Sequence, residues 1–328
     1  MPDATAPPLA RTYHHTGFPL GELVTRKRQV GTSISVVIPA RDEQATIAHV
    51  VHALRPLRDD AGLVDELVVV DSNSTDRTAA LAAEAGACVV RQDDVRTNAS
   101  SGHGKGEALW KGLAACRGDA IVFVDADIHD IDQRFVTGLV GPLLEQPEVM
   151  FVKAAYDRPL RVGDVLYSSG GGRVTELLAR PMLATFWPEL SWIAQPLSGE
   201  VAARRRVLEQ LPFVQGYGVE LAMLVDVADR WGPHAIAQVD LGRRIHDHQP
   251  LPALAVMATE LLHVTMNRLV RQGRLHLTGD LARELLRPRR DEHGRLSLSS
   301  CEVRVTERPS LIGDGRVPAP LEGLPPTH

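Results

Sequence analysis

The sequence predicts an α/β fold, a mostly parallel, doubly wound sheet followed by a helical C-terminal extension. Between residues 33 and 127, short apolar runs alternate with segments of helical periodicity, which is the pattern of a parallel sheet with helices on both faces. Polar and acidic residues follow the apolar runs directly. From residue 252 onwards, apolar residues recur at helical spacing in one long stretch. A length of 328 residues, 44% of them hydrophobic, suits one large globular domain or a domain with an appendage.

The first elements follow from their apolar patterns and from proline and glycine breaks. Residues 33–38 predict a strand that ends at Pro39, because proline cannot donate a ladder hydrogen bond. The helix that follows is expected to close at Pro56. The further predicted elements are strand 66–71, helix 77–85, strand 87–90, a mobile loop at 92–104, helix 105–116, strand 120–124, helix 133–146, strand 148–155, a glycine-rich loop at 168–173, helices to 186 and at 218–231, and strand 235–241.

Composition excludes several classes of protein. The net charge of −5 and the pI near 6.2 argue against a dedicated nucleic-acid binder, whose footprint is basic. The three cysteines have no metal-ligand spacing and are odd in number, which predicts a reducing compartment and no disulfide framework. The N-terminus lacks the pattern of a signal peptide, and no apolar stretch reaches about 18 residues. We therefore expect a cytoplasmic protein without membrane insertion.

Asp125-Ala126-Asp127 is the most informative motif. It follows the apolar run 120–124 directly, and ligands of open α/β sheets bind beyond the carboxyl ends of their strands. Carboxylates suit Mg²⁺ or Mn²⁺, ions that also hold phosphate oxygens. The motif therefore predicts a site for a metal and a nucleotide diphosphate. Alone, it is equally compatible with a helix cap or an Asx turn.

Four polar segments are expected to meet at one edge of the sheet. They are residues 39–43, 71–76, 125–127 and 243–246, each at the predicted end of a strand. Each has a structural alternative, since Glu43 could complete a first helical turn and Ser74 with Asp76 could cap a helix. Their order along one chain is more specific than any of them singly.

These segments, with several others, resemble the GT-A-type nucleotide-sugar glycosyltransferases, and more narrowly the actinobacterial glucosyl-3-phosphoglycerate synthases. The resemblance extends over about residues 15–255 and rests on segments 36–43, 104–110, 170–176, 195–200 and 216–220. It implies a GT-A fold, transfer of glucose from UDP-glucose to 3-phosphoglycerate, retention of anomeric configuration, Mg²⁺ or Mn²⁺ as cofactor, and a homodimer. The corresponding divisions are an irregular lead-in at 1–30, a nucleotide-sugar-binding half at 31–165, an acceptor-binding half at 166–250, and a helical extension with a partly irregular tail at 251–328.

The predicted donor site combines chemistry and resemblance. Asp127 is the preferred carboxylate ligand for the metal, and the resemblance adds His246 as a second ligand. Lys105 can place a point charge near the nucleotide, because a merely solvated lysine at a helix start would oppose the helix dipole. Asp125 is expected near the ribose. The resemblance places further residues around the nucleotide sugar: Pro39, Ala40, Arg41, Glu43, Ser72 and Ala126.

The predicted acceptor site lies in the run from Gly170 to Thr175. Glycines permit close approach of the backbone, and a following helix offers free N–H groups to an anion. The fork of Arg173 and the hydroxyl of Thr175 suit a phosphate or a carboxylate; the alternative is a flexible hairpin loop. The resemblance adds further acceptor contacts: Gly172, Val174, Tyr217 and His248. His248 departs from the asparagine of relatives and brings a pH-dependent charge toward an anion.

Catalysis is expected to proceed without a carboxylate nucleophile, because no residue has the pattern of one. The resemblance implies front-face attack, in which the leaving diphosphate takes the acceptor proton. Lys105 and Asp127 would then stabilise that diphosphate, the Leu197 carbonyl would orient the reacting centre, and Glu220 would hold sugar or acceptor. For Glu220, a surface helix carboxylate is the structural alternative.

Three other functions remain open from the sequence. The first is an inverting transferase that uses a polyprenyl phosphate, although membrane segments are absent from the pattern. The second is a nucleotidyltransferase, although Asp42 and Glu43 stand where a basic phosphate loop is expected. The third is a non-catalytic sugar-nucleotide sensor. Residues 204–206, three arginines, are interpreted as a solvated basic face, and the apolar stripe of 252–272 as packing on its own domain or in a dimer.

Overall fold

The computed structural model describes residues 11–97, 102–158, 160–162, 165–167, 171–244, 249–290 and 292–312. The strands are β1 (Thr12–His14), β2 (Ile34–Ala40), β3 (Glu66–Asp71), β4 (Cys88–Arg91), β5 (Ala120–Phe123), β6 (Phe151–Asp157), β7 (Leu160–Val162), β8 (Val165–Tyr167), β9 (Val201–Arg204), β10 (Phe213–Val214), β11 (Ile236–Arg243), β12 (Glu284–Arg290), β13 (Leu296–Glu302) and β14 (Glu307–Arg308). The helices are α1 (Leu20–Val30), α2 (Ile47–Asp59), α3 (Thr78–Glu84), α4 (Lys105–Ala115), α5 (Arg134–Glu145), α6 (Arg180–Phe186), α7 (Arg205–Leu208), α8 (Val219–Trp231) and α9 (Leu251–Arg271), with a π-helical turn at Thr175–Ala179.

An eight-stranded sheet organises the described residues, in the order β1-β11-β6-β9-β5-β2-β3-β4. Its strand pairs are parallel except those of β9, which runs antiparallel to both β5 and β6. One apolar core joins α4 and α8 to one face, and a second core joins α1, α2 and α5 to the other. The predicted mostly parallel, doubly wound sheet is therefore confirmed. It is the arrangement that brings the carboxyl ends of β2, β3 and β5 to one edge.

The predicted irregular lead-in at 1–30 is wrong for residues 12–30. β1 adds an edge strand parallel to β11, and α1 packs on α5 through the buried Leu23. Phe18 fills the space left by Gly141, where a side-chain carbon would lie 2.3 Å from the aromatic ring. The polar composition of this segment gives only a weak apolar pattern, so contacts with the rest of the domain decide its structure.

Two prolines interrupt their elements less than expected. β2 continues through Pro39 to Ala40, because pairing with β5 has already ended at Val37 and only β3 remains beside it. α2 continues past Pro56 to Asp59, and this last turn buries Leu57 completely. Burial of that side chain offsets the missing helical hydrogen bond.

Among the described residues of the C-terminal extension, α9 is the one helix. Strands β12 and β13 then form an antiparallel hairpin, and the chain returns to the domain, where β14 pairs with β10. Val303 is buried, and the Trp110 indole donates to the Pro309 carbonyl at 2.9 Å. Part of the tail predicted as irregular is therefore packed on the domain. Within the described ranges, no helix combines the length and apolarity needed to span a membrane.

In the arginine run at 204–206, Arg206 is exposed as expected of a solvated face, but Arg204 and Arg205 are not. Arg204 donates to the carbonyls of Leu143 and Val149, and Arg205 donates to those of Gly118 and Cys116. Both side chains satisfy backbone acceptors at the end of the sheet opposite the predicted site, which gives them a structural role.

Candidate active site

A cavity of about 620 Å³ opens at the carboxyl ends of β2, β3 and β5. Every site residue predicted from the sequence that lies within the described ranges contributes to its wall. These residues are Pro39, Ala40, Arg41, Glu43, Ser72, Lys105, Asp125, Ala126, Asp127, Gly172, Arg173, Val174, Thr175, Leu197, Tyr217 and Glu220. His246 and His248 lie outside the described residues. The residues thus share one cavity, and their individual roles stay predictions.

The two loops after β2 and β3, at the predicted nucleotide site, are joined by hydrogen bonds. The Asp42 N–H donates to the Ser74 hydroxyl at 3.0 Å, and the Thr75 N–H donates to the Asp42 carboxylate at 2.7 Å. Asp76 accepts from the Thr78 N–H at 2.9 Å, a capping interaction next to α3. The structural alternative therefore describes Asp76, whereas Ser74 joins the two loops and caps no helix; neither residue lines the cavity. Together these bonds fix the cavity wall that follows β2.

Lys105 lies at the centre of the cavity between two carboxylates. Its ammonium is 2.5 Å from Asp125 Oδ1 and 2.9 Å from Glu220 Oε1. Burial alone would lower the pKa of Lys105, but Asp125 and Glu220 outweigh burial and raise it. Burial alone would likewise raise the pKa of Asp125, whereas Lys105 and Arg244 lower it. Lys105 and Asp125 are therefore charged at neutral pH. Glu220 is buried and paired with Lys105, so neither the solvated lysine nor the surface carboxylate alternative applies.

Arg244 forms the second centre of charge. Its Nη2 atom is 3.0 Å from Asp125 Oδ2 and 3.0 Å from Asp127 Oδ1, and its Nε atom is 3.1 Å from Glu200 Oε1. Only 3% of its side chain is exposed. Sequence reasoning included residue 244 in a converging segment but gave it no role. Its available signal was its position, directly after β11 at the same sheet edge as Asp125.

A buried polar layer lies beneath these groups. Glu200 is fully buried and accepts from the Tyr156 hydroxyl at 2.7 Å. Lys153 is also fully buried, and its ammonium donates to the Ser198 carbonyl at 2.6 Å. Burial lowers the pKa of Lys153 to about 8, against the opposing effect of Glu220 and Glu200. Sequence reasoning missed Lys153, because a lysine inside a strand gives no local sign that it is buried.

One carboxylate of this site is accessible enough to reach a divalent cation. Four carboxylates pair with Lys105 or with Arg244: Asp125, Asp127, Glu200 and Glu220. Asp127 has the most exposed of these carboxylates, with 38% of its side chain accessible. It is thus the carboxylate best placed to reach a metal ion in the cavity.

The predicted acceptor site contains a cation, Arg173, and a buried hydroxyl, that of Thr175. The Arg173 guanidinium donates to the Gln249 carbonyl at 2.8 Å and lines the cavity. Thr175 is 1% exposed, and its Oγ1 atom has no hydrogen-bond partner within the described residues. A buried unpaired hydroxyl is costly unless a ligand satisfies it. Gly172, with φ of 69°, makes the turn that places both groups at the start of the π-helical turn.

The C-terminal extension completes the cavity wall, which the sequence did not predict. The residues that it contributes are Leu254, Met257, Glu260, Leu261, Arg304 and Thr306. The Tyr217 N–H donates to Glu260 Oε2 at 2.8 Å, so α9 also holds the loop before α8. A chain cut before α9 would leave this side of the cavity open.

Comparisons with known proteins agree with this geometry. Residues 35–182 match the model of glycosyl transferase family 2. The chain is 45% identical to the glucosyl-3-phosphoglycerate synthase of Petrotoga mobilis over 93% of this chain and 94% of that protein. It is 48% identical to the Mycobacterium tuberculosis (strain H37Rv) protein of the same name over 80% of each.

Solved structures give the same result. The mannosyl-3-phosphoglycerate synthase of Rubrobacter xylanophilus matches with a TM-score of 0.86 at 37% identity, covering 95% of this chain and 98% of that one. The Mycobacterium tuberculosis glucosyl-3-phosphoglycerate synthase, in complex with Mn²⁺, UDP and phosphoglyceric acid, matches with a TM-score of 0.80 at 42% identity, covering 92% and 97%. The structures and the sequences therefore agree on the family and on the GT-A fold.

Proposed function

Because the chain belongs to glycosyl transferase family 2 and, within it, to the glucosyl-3-phosphoglycerate synthases, we propose that it transfers glucose from UDP-glucose to 3-phosphoglycerate with retention of configuration. The observation that carries the proposal is one cavity lined by Lys105 and Asp127 and also by Arg173. We assign Lys105 and Asp127 to the leaving diphosphate, which needs charge stabilisation, and Arg173 to an anionic acceptor. A donor diphosphate and a small anionic acceptor can thus bind side by side.

The donor end has the groups that a sugar nucleotide requires. The wall formed by Pro39, Ala40 and Ser72 receives the nucleoside, and Asp125 is close enough to the cavity centre to accept from ribose hydroxyls. Asp127, with His246 as second ligand, would hold Mg²⁺ or Mn²⁺. When bound, the ion neutralises charge that develops on the diphosphate as the glycosidic bond breaks.

The acceptor end suits a small acid that carries a phosphate. Arg173 offers a bidentate fork, and Thr175 Oγ1 is a donor in need of an acceptor. Gly172, Val174 and Tyr217 line the same cavity, and we assign His248 to the acceptor as well on the resemblance. 3-Phosphoglycerate carries a carboxylate and a phosphate, so it can use both kinds of contact.

The carboxylates around Lys105 are engaged in ion pairs, which favours front-face attack over a covalent intermediate. Asp125 and Glu220 pair with Lys105, and Asp127 and Glu200 pair with Arg244. A nucleophilic carboxylate would have to leave its cation before attacking the sugar. In our proposal the leaving diphosphate therefore takes the acceptor proton, while Glu220 and the Leu197 carbonyl orient the sugar.

The direct test is a product assay with purified protein, Mg²⁺, 3-phosphoglycerate and either UDP-glucose or GDP-mannose, read by NMR at the anomeric proton. GDP-mannose is included because the Rubrobacter xylanophilus mannosyl enzyme has the same fold. We expect an α-linked glucosyl product that is lost in Asp127→Asn. A β-linked product would refute retention, a mannosyl product alone would refute the donor, and no product with either donor would refute the transfer itself.

We also propose a homodimer in the cytoplasm. The β12–β13 hairpin presents Leu286, Leu296 and Leu298 on one face, 57%, 72% and 70% exposed. A two-stranded hairpin is marginal alone, and an apolar face of this kind is stabilised by a partner surface. The phosphorylated substrates are intracellular metabolites, which supports the location. Light scattering of Leu298→Lys should show a monomer where the native chain shows a dimer; two monomers or two dimers would refute this interface.

A further inference from the structure

Glu107 is a buried carboxylate that does not line the cavity. It is fully buried in the first turn of α4, two residues after Lys105. Its two oxygens accept from Arg308, with Nε at 2.5 Å from Oε2 and Nη2 at 2.7 Å from Oε1. Oε2 also accepts from the Gln215 side-chain amide at 3.1 Å. Two buried charged groups are thus committed to a contact just outside the site.

Gln215 is held at four atoms by Glu107 and by the returning C-terminal segment. Its N–H donates to the Thr306 carbonyl at 2.9 Å, and its carbonyl accepts from the Glu107 N–H at 3.3 Å. Its side-chain oxygen accepts from the Thr306 hydroxyl at 2.5 Å, and its amide donates to Glu107. Gln215 begins the turn that leads into α8, which carries Glu220. Its position therefore sets where α8 starts.

Close packing prevents the start of α4 from sliding along the chain that precedes α8. A side-chain carbon on Gly106 would lie 1.6 Å from the Val214 carbonyl oxygen. One on Gly102 would lie 2.6 Å from both the Glu107 carboxylate and the Gln215 amide. The first turn of α4 thus lies directly on the chain before α8, without side chains between the backbones.

The two helices that meet here carry the two partners of the central ion pair. Lys105 begins α4, Glu220 lies in the first turn of α8, and their charged atoms are 2.9 Å apart. On the premise of the proposed function, we propose that Glu107 is a positioning residue for glucosyl transfer. Anchored by Arg308, it fixes Gln215 and so holds Lys105 and Glu220 at the separation that the reacting sugar requires. We call this Glu107–Gln215–Thr306–Arg308 contact the clasp.

The test compares Glu107→Gln with a control, Asp65→Asn, at the opposite end of the sheet. Asp65 Oδ2 is 2.7 Å from the ammonium of the buried Lys27 and accepts from the Ile34 N–H at the start of β2, and neither Asp65 nor Lys27 lines the cavity or contacts the clasp. We expect Glu107→Gln to lower kcat about tenfold or more with a small change in the KM for UDP-glucose, because misplacement of reacting groups by about 1 Å costs up to about 100-fold. Asp65→Asn should lower the melting temperature and change kcat less than about twofold, which is the scale of a structural effect alone.

Hydrogen exchange provides a readout that does not depend on turnover. In Glu107→Gln, amides of residues 213–220 should exchange faster than in the native chain, while amides of β2 and β3 keep their rates. If Glu107→Gln fails to fold, the double variant Glu107→Gln/Arg308→Met also removes the cation that faced Glu107 and should fold with kcat still reduced. In a chain that keeps Glu107, Arg308→Lys retains the charge and should have a higher kcat than the double variant.

The outcomes separate the clasp from the proposed function. A native chain without glucosyl transfer refutes the function, whereas faster exchange confined to 213–220 in Glu107→Gln still supports the clasp. Unchanged exchange there, or equal loss of kcat in Glu107→Gln and Asp65→Asn, overturns it.

Discussion

Gly199 offers the sharpest perturbation of the charge centre. It lies just before β9, and a side-chain carbon at this position would be 2.3 Å from both carboxylate oxygens of Asp125 and 2.3 Å from the Lys105 ammonium. Ordinary contact begins at 3.4 Å, so Gly199→Ala must push these groups by about 1 Å. One methyl group thus displaces the ion pair directly.

The expected effects on stability and on activity differ in size. The atoms that must move are the ends of two side chains, so the unfolding free energy should fall only by about 1 kcal/mol, the lower end for overpacking. A displacement of about 1 Å at reacting groups costs about 100-fold in rate. We therefore expect kcat to fall about 100-fold in a protein that remains folded.

The assay is steady-state transfer from UDP-glucose together with urea unfolding of the same preparations. Gly21→Ala is the matched control, because a carbon added there meets nothing within 4 Å. It should leave kcat unchanged and preserve stability. Native kcat in Gly199→Ala would refute the idea that the separation of Lys105 and Asp125 controls the rate.

Three further substitutions test the remaining charges. Arg244→Met should lower the unfolding free energy in urea by about 3–5 kcal/mol, because it removes the cation that faces buried carboxylates. Arg243 is the exposed neighbour, so the control Arg243→Met should have little effect, and equal losses in the two variants would contradict this. Arg173→Met should raise the KM for the acceptor, 3-phosphoglycerate, about tenfold or more without changing the affinity for UDP. Arg180 lies outside the cavity, so Arg180→Met should change neither quantity. A weaker UDP affinity in Arg173→Met would argue against an acceptor role for Arg173. The pKa of Lys153 is lowered to about 8, so as the pH rises Lys153 loses its proton in the folded protein before it does in the unfolded chain. The contribution of Lys153 to stability therefore rises with pH between about 8 and its unfolded pKa of 10.5. The unfolding free energy of the native chain minus that of Lys153→Met, measured in urea, should therefore increase from pH 7.5 to 9.5, and a constant difference would refute the shift.

The sequence determined most strands and helices between residues 33 and 241 and the part of the cavity wall that these elements carry. Apolar runs mark the strands, and in a parallel sheet their ends share one edge, so Asp125, Asp127 and Ser72 could be placed together without coordinates. The errors at Pro39 and Pro56 arose because local rules for proline yield to pairing and burial around it. The N-terminal strand and helix were missed for the same kind of reason, since contacts with α5 and β11 stabilise them.

Only the tertiary structure decided which charges are buried and what pairs with them. Arg244 lies 119 residues from Asp125, and Arg308 lies 201 residues from Glu107, so no local spacing connects either pair. In the sequence Lys153 has the pattern of an ordinary strand residue, whereas in the folded protein the sheet and its helices bury it completely. Local pattern specifies elements because the backbone is periodic, whereas the cost of a buried charge depends on distant groups that approach it only when the chain has folded.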